Sequence, residues 1–319
     1  CSLTSADITC TVTIDQGNLQ GMPKTSLFAI NFCAYLGVPY AESPTGNFRF
    51  SEPKPADRWS GVLNATEKKK TCIGIQYSNV EMDEDCLYLD IYTPQIREEC
   101  NSKYPVLVFF PGDNYLGDNS FLYGPDYMMK NEFVLVIINF RVGALGFLST
   151  GNSAAVGNYG LKDQVESLRW IKKNIQDFGG DPGNVTIYGH SIGAAYVHYH
   201  ILSPMSRGLF HRAISQSGSA LNPNMRPISD PGCLVKQLGW QFKCQSNNDV
   251  ELVNCLKALN ASEFLNITSI SFAPVIETVI TNVEGFLTQH PVDIINSGDF
   301  NKVPWLIGNV NNEGASSAI

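Results

Sequence analysis

The stretch that decides the fold is Gly189-His190-Ser191-Ile192-Gly193, which lies between an apolar β-branched run and a helical pattern. Residues 185–188 predict a short buried strand, and the residues after Ser191 predict a helix that ends near Leu202. Small residues on both sides let the chain turn sharply and lift the hydroxyl of Ser191 above a sheet. The helix N-terminus beside it favours developing negative charge. The alternative interpretation is an ordinary tight turn between a strand and a helix.

Strand and helix patterns alternate along the rest of the chain. Apolar residues recur at steps of three and four over residues 161–178, which predicts an amphipathic helix that ends at Gly179-Gly180. A second helix is predicted over 249–258. Strands are predicted over 10–14, 32–38, 87–93, 105–110, 133–139, 213–216 and 303–307. This order predicts an α/β fold, with a mostly parallel sheet and helices on both faces.

Size and charge narrow the function classes. The chain has 319 residues, of which 44% are hydrophobic and 16% charged, and its net charge is −8. A negative surface repels phosphate backbones, so a nucleic-acid partner is not expected. The longest apolar runs have the length of strands, and none approaches the roughly 20 residues that span a bilayer. No internal repeat or linker divides residues 1–319, which predicts a single domain.

Cysteines and glycosylation motifs indicate an oxidising compartment. Among nine cysteines, Cys72 lies close in sequence to Cys86 and Cys244 lies close to Cys255. The N-x-S/T motif occurs four times, and Asn184 opens a predicted buried strand, so no glycan is expected there. Together these features favour a secreted protein. No cysteine or histidine spacing suits zinc, so no metal is expected. The predicted glycosylation sites are Asn64, Asn260 and Asn266.

Several motifs resemble the type-B carboxylesterase/cholinesterase family. They are EDCLYLDI (84–91), FGGDPGNVTIYGHS (178–191), YLGVPYA (35–41), NFRVGALGF (139–147) and GNYGLKDQ (157–164). Residues 202–218 are most similar to insect esterases. The resemblance covers essentially the whole chain. It implies an α/β-hydrolase fold, of which residues 1–319 form the N-terminal part.

The resemblance also implies roles for individual residues. Ser191 matches the nucleophile and Glu313, on the loop after the last predicted strand, matches the acid of a Ser-His-Glu triad. The implied reaction is acyl transfer through an acyl-enzyme, without a cofactor. The family histidine lies downstream of the acid, so a C-terminal remainder of the domain is expected to supply it. Implied structural pairs are the disulfides Cys72–Cys86 and Cys244–Cys255 and the ion pairs Arg49–Glu84 and Arg141–Asp163.

Two departures from the family pattern leave the function open. The expected oxyanion donors are the backbone N–H groups of Asp113, Asn114 and Ile192, where the family has glycines and a small residue. An ionised Asp113 would repel the developing oxyanion, and Ile192 is expected to crowd the turn. The first hypothesis is a hydrolase of small neutral or lipophilic esters. The second is a catalytically impaired esterase-like protein with a binding or structural role.

A choline ester is the less favoured substrate. The segment between Cys72 and Cys86 is short and contains no tryptophan that could stack on a quaternary ammonium group. An adhesion ectodomain on the same scaffold would normally lack the serine, whereas Ser191 is present.

Overall fold

The computed structural model describes residues 9–74, 80–94, 103–112, 122–267, 270–277 and 284–313. Its strands are β1 (Thr11–Ile14), β2 (Gly17–Gln20), β3 (Met22–Thr25), β4 (Asn31–Pro39), β5 (Val62–Asn64), β6 (Thr71–Cys72), β7 (Met82–Asp83), β8 (Tyr88–Pro94), β9 (Tyr104–Phe110), β10 (Val134–Ile138), β11 (Gly180–His190), β12 (Arg212–Gln216) and β13 (Trp305–Gly308). Its α-helices are α1 (Gly143–Phe147), α2 (Tyr159–Asn174), α3 (Ile192–Leu202), α4 (Pro231–Gln241), α5 (Asp249–Lys257) and α6 (Pro291–Ser297).

A central sheet of eight strands has the order β13-β12-β11-β9-β10-β8-β4-β3. Strands β9 to β13 are parallel to one another, whereas β8, β4 and β3 join as antiparallel neighbours. This confirms the predicted α/β fold with a mostly parallel sheet. The carboxyl ends of β9 to β13 lie along one edge of the sheet, called here the carboxyl edge. Ligands of open α/β sheets bind beyond this edge.

Side chains alternate between the two faces of the sheet along each strand, and each face has its own apolar core. In β9, Val106, Val108 and Phe110 belong to the larger core, and Leu107 and Phe109 belong to the smaller one. The buried apolar residues of all six described α-helices join the larger core. Within the described ranges, the smaller core also contacts Met22 of β3, at the edge of the sheet, and Met128 of a 3-10 turn. We expected helices on both faces. Among the described residues, the α-helices pack on the larger core, and a 3-10 turn (Met128–Lys130) packs on the smaller one.

The strongest helical pattern was assigned correctly. Helix α2 continues into a 3-10 turn (Ile175–Phe178), and Gly179 with φ 80° ends it. The predicted strand over 185–188 is the second half of the longer β11, whose pairing with β9 shifts register between Gly180 and Val185. Sequence reasoning missed α4, although Asp230 caps it and Pro231 opens it.

Three disulfides join the described residues. Cys72–Cys86 and Cys244–Cys255 are confirmed. The third, Cys10–Cys33, connects the segment before β1 to β4 and was not assigned from sequence. Cys233 is exposed and unpaired. Cys1 and Cys100 lie outside the described residues.

The glycosylation motifs differ in their accessibility. Asn64, Asn260 and Asn266 are exposed, so they remain predicted acceptors. Asn184 is half-buried within β11, where its side-chain oxygen accepts a hydrogen bond from Arg212. No described helix is both long and apolar enough to cross a membrane.

Both expected ion pairs are present and buried. Arg49 Nη2 lies 2.7 Å from Glu84 Oε2, and Arg141 Nη2 lies 2.7 Å from Asp163 Oδ1. Arg49 Nη1 also donates to the carbonyl of Leu259, 2.6 Å away, just after α5. Arg49 therefore ties the Cys72–Cys86 region to the α5 region, and Arg141 ties the segment after β10 to α2.

Replacing Glu84 with glutamine should lower the free energy of unfolding by about 3 kcal/mol, because the buried guanidinium of Arg49 loses its counter-charge. Asp83→Asn is the matched control. Asp83 makes a half-exposed ion pair with Lys70, at 3.7 Å, which is worth about 0–1 kcal/mol, and asparagine can still accept the hydrogen bond from the Asp85 N–H. Urea denaturation of the purified proteins measures both effects. Equal losses for the two variants would contradict the assigned role of the Arg49–Glu84 pair.

Candidate active site

Ser191 forms a sharp, strained turn at the carboxyl end of β11. Its backbone has φ 57° and ψ −123°, a conformation that non-glycine residues rarely adopt. The Ser191 N–H donates to the carbonyl of Gln216 in β12, at 2.8 Å, and its own carbonyl accepts from Ala194 in α3, at 3.0 Å. The residue is half-buried. Strain of this kind costs of order 1–3 kcal/mol and is typical of functional sites.

Glycines make the turn sterically possible. A Cβ on Gly189 would lie under 3.0 Å from the carbonyl oxygen of Gly193, and one on Gly193 would overlap that of Phe110 in β9. A Cβ on Gly218 would likewise overlap the carbonyl of Ser191. The first two glycines were part of the sequence pattern. Gly218 was missed, because its contact with Ser191 bridges elements that are distant in sequence.

The first turn of α3 lies against the end of β9. A Cβ on Gly112 would overlap the backbone N of Gly193, so the segment that leads to the expected oxyanion loop passes over this turn. Asp113 and Asn114 themselves lie outside the described residues. Ile192 is the first residue of α3, where N–H groups have no partner within the helix.

The side chain of Ile192 is directed into the larger core. It is only 3% exposed, and the positive φ belongs to Ser191 and not to Ile192. We expected this β-branched side chain to crowd the strained turn. The structure gives it a helical position and buries it, so the backbone strain is confined to the preceding residue.

Glu313 lies at the same edge of the sheet as Ser191. It follows β13, which pairs with β12 through Gln216 and Gly308, while β12 pairs with β11. Two strand spacings of about 4.8 Å therefore separate the strand ends that precede the two residues. Glu313 is exposed, and its Oε2 accepts from the backbone N of Val310, at 2.9 Å. The sequence placed both residues at one edge, and the topology agrees.

A second strained serine stands at the end of β12. Ser217 has φ 59°, and its N–H donates to the carbonyl of Gly308 at 2.8 Å. This bond joins the loop behind Ser191 to the end of the strand that leads to Glu313. Sequence reasoning did not identify it.

Four of the five histidines accept or share hydrogen bonds elsewhere. His198 Nδ1 accepts from Ala220 N, His211 Nδ1 from Val185 N and His290 Nδ1 from Val292 N. His200 is fully buried between Ser206, 2.7 Å from Nδ1, and Gln164, 2.9 Å from Nε2. His190 precedes Ser191 and shares the face of β11 that carries Tyr188, since side chains two apart point the same way.

Burial keeps two of these imidazoles neutral. It lowers the pKa of His198 to about 4 and that of His200 to about 3. At neutral pH both groups therefore serve as neutral hydrogen-bonding groups in the α3 region.

A serine on a strained strand-to-helix turn, at the carboxyl edge of a mixed sheet that is mostly parallel, defines the class of the α/β hydrolases. Comparison with known protein families identifies the family within this class. The model of the carboxylesterase family matches residues 9–319. The chain belongs to the carboxylesterase family.

The relatives come from insects and mammals. Esterase E4 of Myzus persicae is 39% identical over 98% of this chain and 59% of its own length. Juvenile hormone esterase of Tribolium castaneum is 38% identical over 93% of the chain and 54% of its length. Pyrethroid hydrolase Ces2a of Mus musculus is 40% identical over 86% and 51%. The chain thus spans just over half the length of these relatives.

The Gly218→Ala variant should be destabilised by roughly 1–3 kcal/mol, because the new methyl group overlaps the carbonyl of Ser191 and one of the two must move. The control is Gly124→Ala, where the nearest atom is 3.9 Å from the new Cβ. Chemical denaturation compares the two variants. A Gly218→Ala protein as stable as the control would contradict the proposed packing of the turn.

His200 should make stability depend on pH below about 6.5. The pKa of His200 in the folded state is about 3, against an ordinary value of 6.5, so only the unfolded state takes up its proton between these values. Stability from this group is therefore complete above pH 6.5 and falls by about 1.4 kcal/mol per pH unit on acidification.

The His200→Gln variant should lose about that slope between pH 4 and 6. Ser206→Ala is the control, because it removes a partner of His200 and keeps the imidazole. Unfolding free energies measured at half-unit pH steps give both slopes. A slope unchanged by His200→Gln would show that the imidazole is protonated in the folded protein.

Proposed function

We propose that the full protein hydrolyses carboxylic esters through an acyl-enzyme formed on Ser191. The main support for this proposal is the strained turn at Ser191. The N–H and C=O groups of Ser191 are both hydrogen-bonded, and the residue is half-buried at the carboxyl edge. A hydroxyl fixed above a helix N-terminus can attack an ester carbonyl where the helix dipole stabilises the developing negative charge. Family membership supports the same reaction class.

Glu313 is the proposed orienting acid. It follows β13 at the same edge, and its exposed carboxylate is fixed on one side by the Val310 N–H. The general base would come from the C-terminal remainder of the domain, because four of the five histidines here hold other partners. In the reaction the histidine takes the proton of Ser191, and the carboxylate of Glu313 stabilises the resulting imidazolium. Water then cleaves the acyl-enzyme.

The oxyanion donors proposed are the backbone N–H groups of Asp113, Asn114 and Ile192. Two described residues support this proposal. Gly112 lies against the first turn of α3, and Ile192 opens that helix. Since Ile192 buries its side chain in the core, the β-branched residue leaves its own N–H at the helix N-terminus. Loss of a single donor of this type costs about 10²–10³ in kcat.

Small neutral or lipophilic esters are the proposed substrates. The names of two relatives refer to juvenile hormone and to pyrethroid hydrolysis, and neither name refers to choline. The short Cys72–Cys86 loop closes on itself through its disulfide. A metal or organic cofactor has no part in the proposed reaction.

A secreted glycoprotein that includes further sheet strands is the proposed form of the whole protein. Three disulfides and three exposed sequons support secretion. On β13, the edge strand of the described sheet, Leu306 is 67% exposed and Ile307 is 53% exposed. Exposed apolar edge strands promote aggregation, so we propose that the C-terminal remainder covers this edge.

In the full-length protein, Ser191→Ala should abolish labelling by an organophosphate probe and reduce p-nitrophenyl butyrate turnover by about 10⁴-fold or more. Glu313→Gln should lower kcat by roughly 10²–10⁴-fold, because the base loses its orienting charge. Glu284→Gln is the control: this carboxylate is exposed and faces Arg169 at the surface, 3.7 Å away.

The outcomes separate the two hypotheses. Labelling of Ser191 without turnover would favour a catalytically impaired, ester-binding protein. Turnover that persists in Ser191→Ala would exclude the mechanism. A thiocholine ester hydrolysed faster than p-nitrophenyl butyrate would contradict the proposed substrate class.

A further inference from the structure

Strand β13 is the edge strand of the described sheet and contacts the interior through few side chains. Leu306 and Ile307 are more than half exposed, whereas Trp305 is half-buried and packs against the larger core. Apart from the ladder to β12 and the bond from the Ser217 N–H to Gly308, Trp305 is the residue of β13 that contacts the interior in the described part of the chain. The loop that carries Glu313 follows directly.

The indole of Trp305 connects β13 to the first turn of α3. Its Nε1–H donates to Ser215 Oγ, at 3.0 Å, and that hydroxyl donates to the carbonyl of Ala194, at 3.2 Å. Ser215 is 1% exposed. Ala194 in turn donates its N–H to the carbonyl of Ser191, at 3.0 Å. The hydrogen bonds thus run without a break from β13 to the residue at the strained turn.

His198 supports the same indole from the next turn of α3. Its ring centroid lies 4.7 Å from that of Trp305, and residues four apart lie on one face of a helix. Its Nδ1 accepts from the backbone N of Ala220, so it also holds the loop after β12. Burial lowers its pKa to about 4, and the ring is neutral when it packs on the indole.

We propose that Trp305, Ser215 and His198 are positioning residues, which fix the strand carrying Glu313 relative to the helix that begins at Ser191. This inference rests on the proposed function. Without these contacts β13 would keep its ladder to β12 and the bond from the Ser217 N–H to Gly308, but no described side chain of β13 would connect it to α3. Misplacement of a catalytic group by about 1 Å can cost about 10²-fold in rate.

The test uses the full-length protein and the variants Trp305→Phe, Ser215→Ala and their double mutant. Trp305→Phe keeps an aromatic ring and loses the N–H donor. Trp170→Phe is the matched control, because the buried Nε1 of Trp170 has no hydrogen-bond partner in the described part of the chain. Steady-state kinetics with p-nitrophenyl butyrate give kcat and KM, and kcat/KM is measured from pH 5 to 9.

Each single variant should lower kcat by about 10- to 100-fold and change KM by less than about threefold. The double variant should resemble the single ones, because both remove one shared connection. The acid limb of the kcat/KM profile should move to lower pH. An imidazole whose carboxylate is displaced loses the charge that stabilises its protonated form. A loss of stability alone would not move this limb.

Two results would overturn the inference in distinguishable ways. If wild type shows turnover that depends on Ser191, but Trp305→Phe and Ser215→Ala match Trp170→Phe in kcat and pH profile, the positioning role is wrong and the proposed function stands. If wild type has no turnover that depends on Ser191, both fail. Should Trp305→Phe not fold, Ser215→Ala decides, since it removes one hydroxyl.

Discussion

The structure depends on one constraint, the close contact of four backbone segments around Ser191. The end of β9, the end of β11, the first turn of α3 and the loop after β12 meet without side chains between them, at Gly112, Gly189, Gly193 and Gly218. Any Cβ at these positions would overlap a backbone atom. The sheet order follows from this contact, because β11 must lie between β9 and β12 for all four segments to reach the turn.

Buried charges hold the scaffold behind this edge. Arg141 pairs with Asp163 of α2, and its carbonyl oxygen lies where a Cβ on Gly146 or Gly160 would be, so α1 and α2 both pack on the Arg141 backbone. Lys162, one residue earlier on α2, is 2.7 Å from the buried Glu277. Removing a partner would leave an uncompensated charge in the core. These pairs therefore fix where helices sit against the sheet.

The features predicted from the sequence are those that depend on local residue patterns. Period and glycine placement located α2, α3 and the turn at Ser191, and motif order placed Glu313 at the same edge. The features that sequence reasoning missed depend on contacts between residues that are distant in sequence. Gly218 follows β12 and meets Ser191 only once β11 and β12 pair. The Cys10–Cys33 disulfide requires the N-terminal strands to be folded against each other.

Other expectations concerned local detail. Ile192 was expected to crowd the strained turn; its side chain is buried in the larger core, and the positive φ belongs to Ser191. Helix α4 was missed because its apolar face is narrow, although Asp230 and Pro231 form a readable start. The roles of Asp113 and Asn114 stay predictions, since both residues lie outside the described ranges.

The free energy of burying α3 side chains is large enough to offset the backbone strain at Ser191. The conformation of Ser191 costs of order 1–3 kcal/mol. All eleven residues of α3 are buried, and full burial of one aliphatic side chain such as Ile192 or Ile201 contributes about 1.5–3 kcal/mol. Two such side chains already offset the strain. Ile192 therefore stabilises the turn that it follows, because its burial fixes the first turn of α3 against the sheet. The same helix carries Ala194 and His198, so the burial that holds Ser191 in its strained state also fixes the atoms to which Trp305 and β13 are attached.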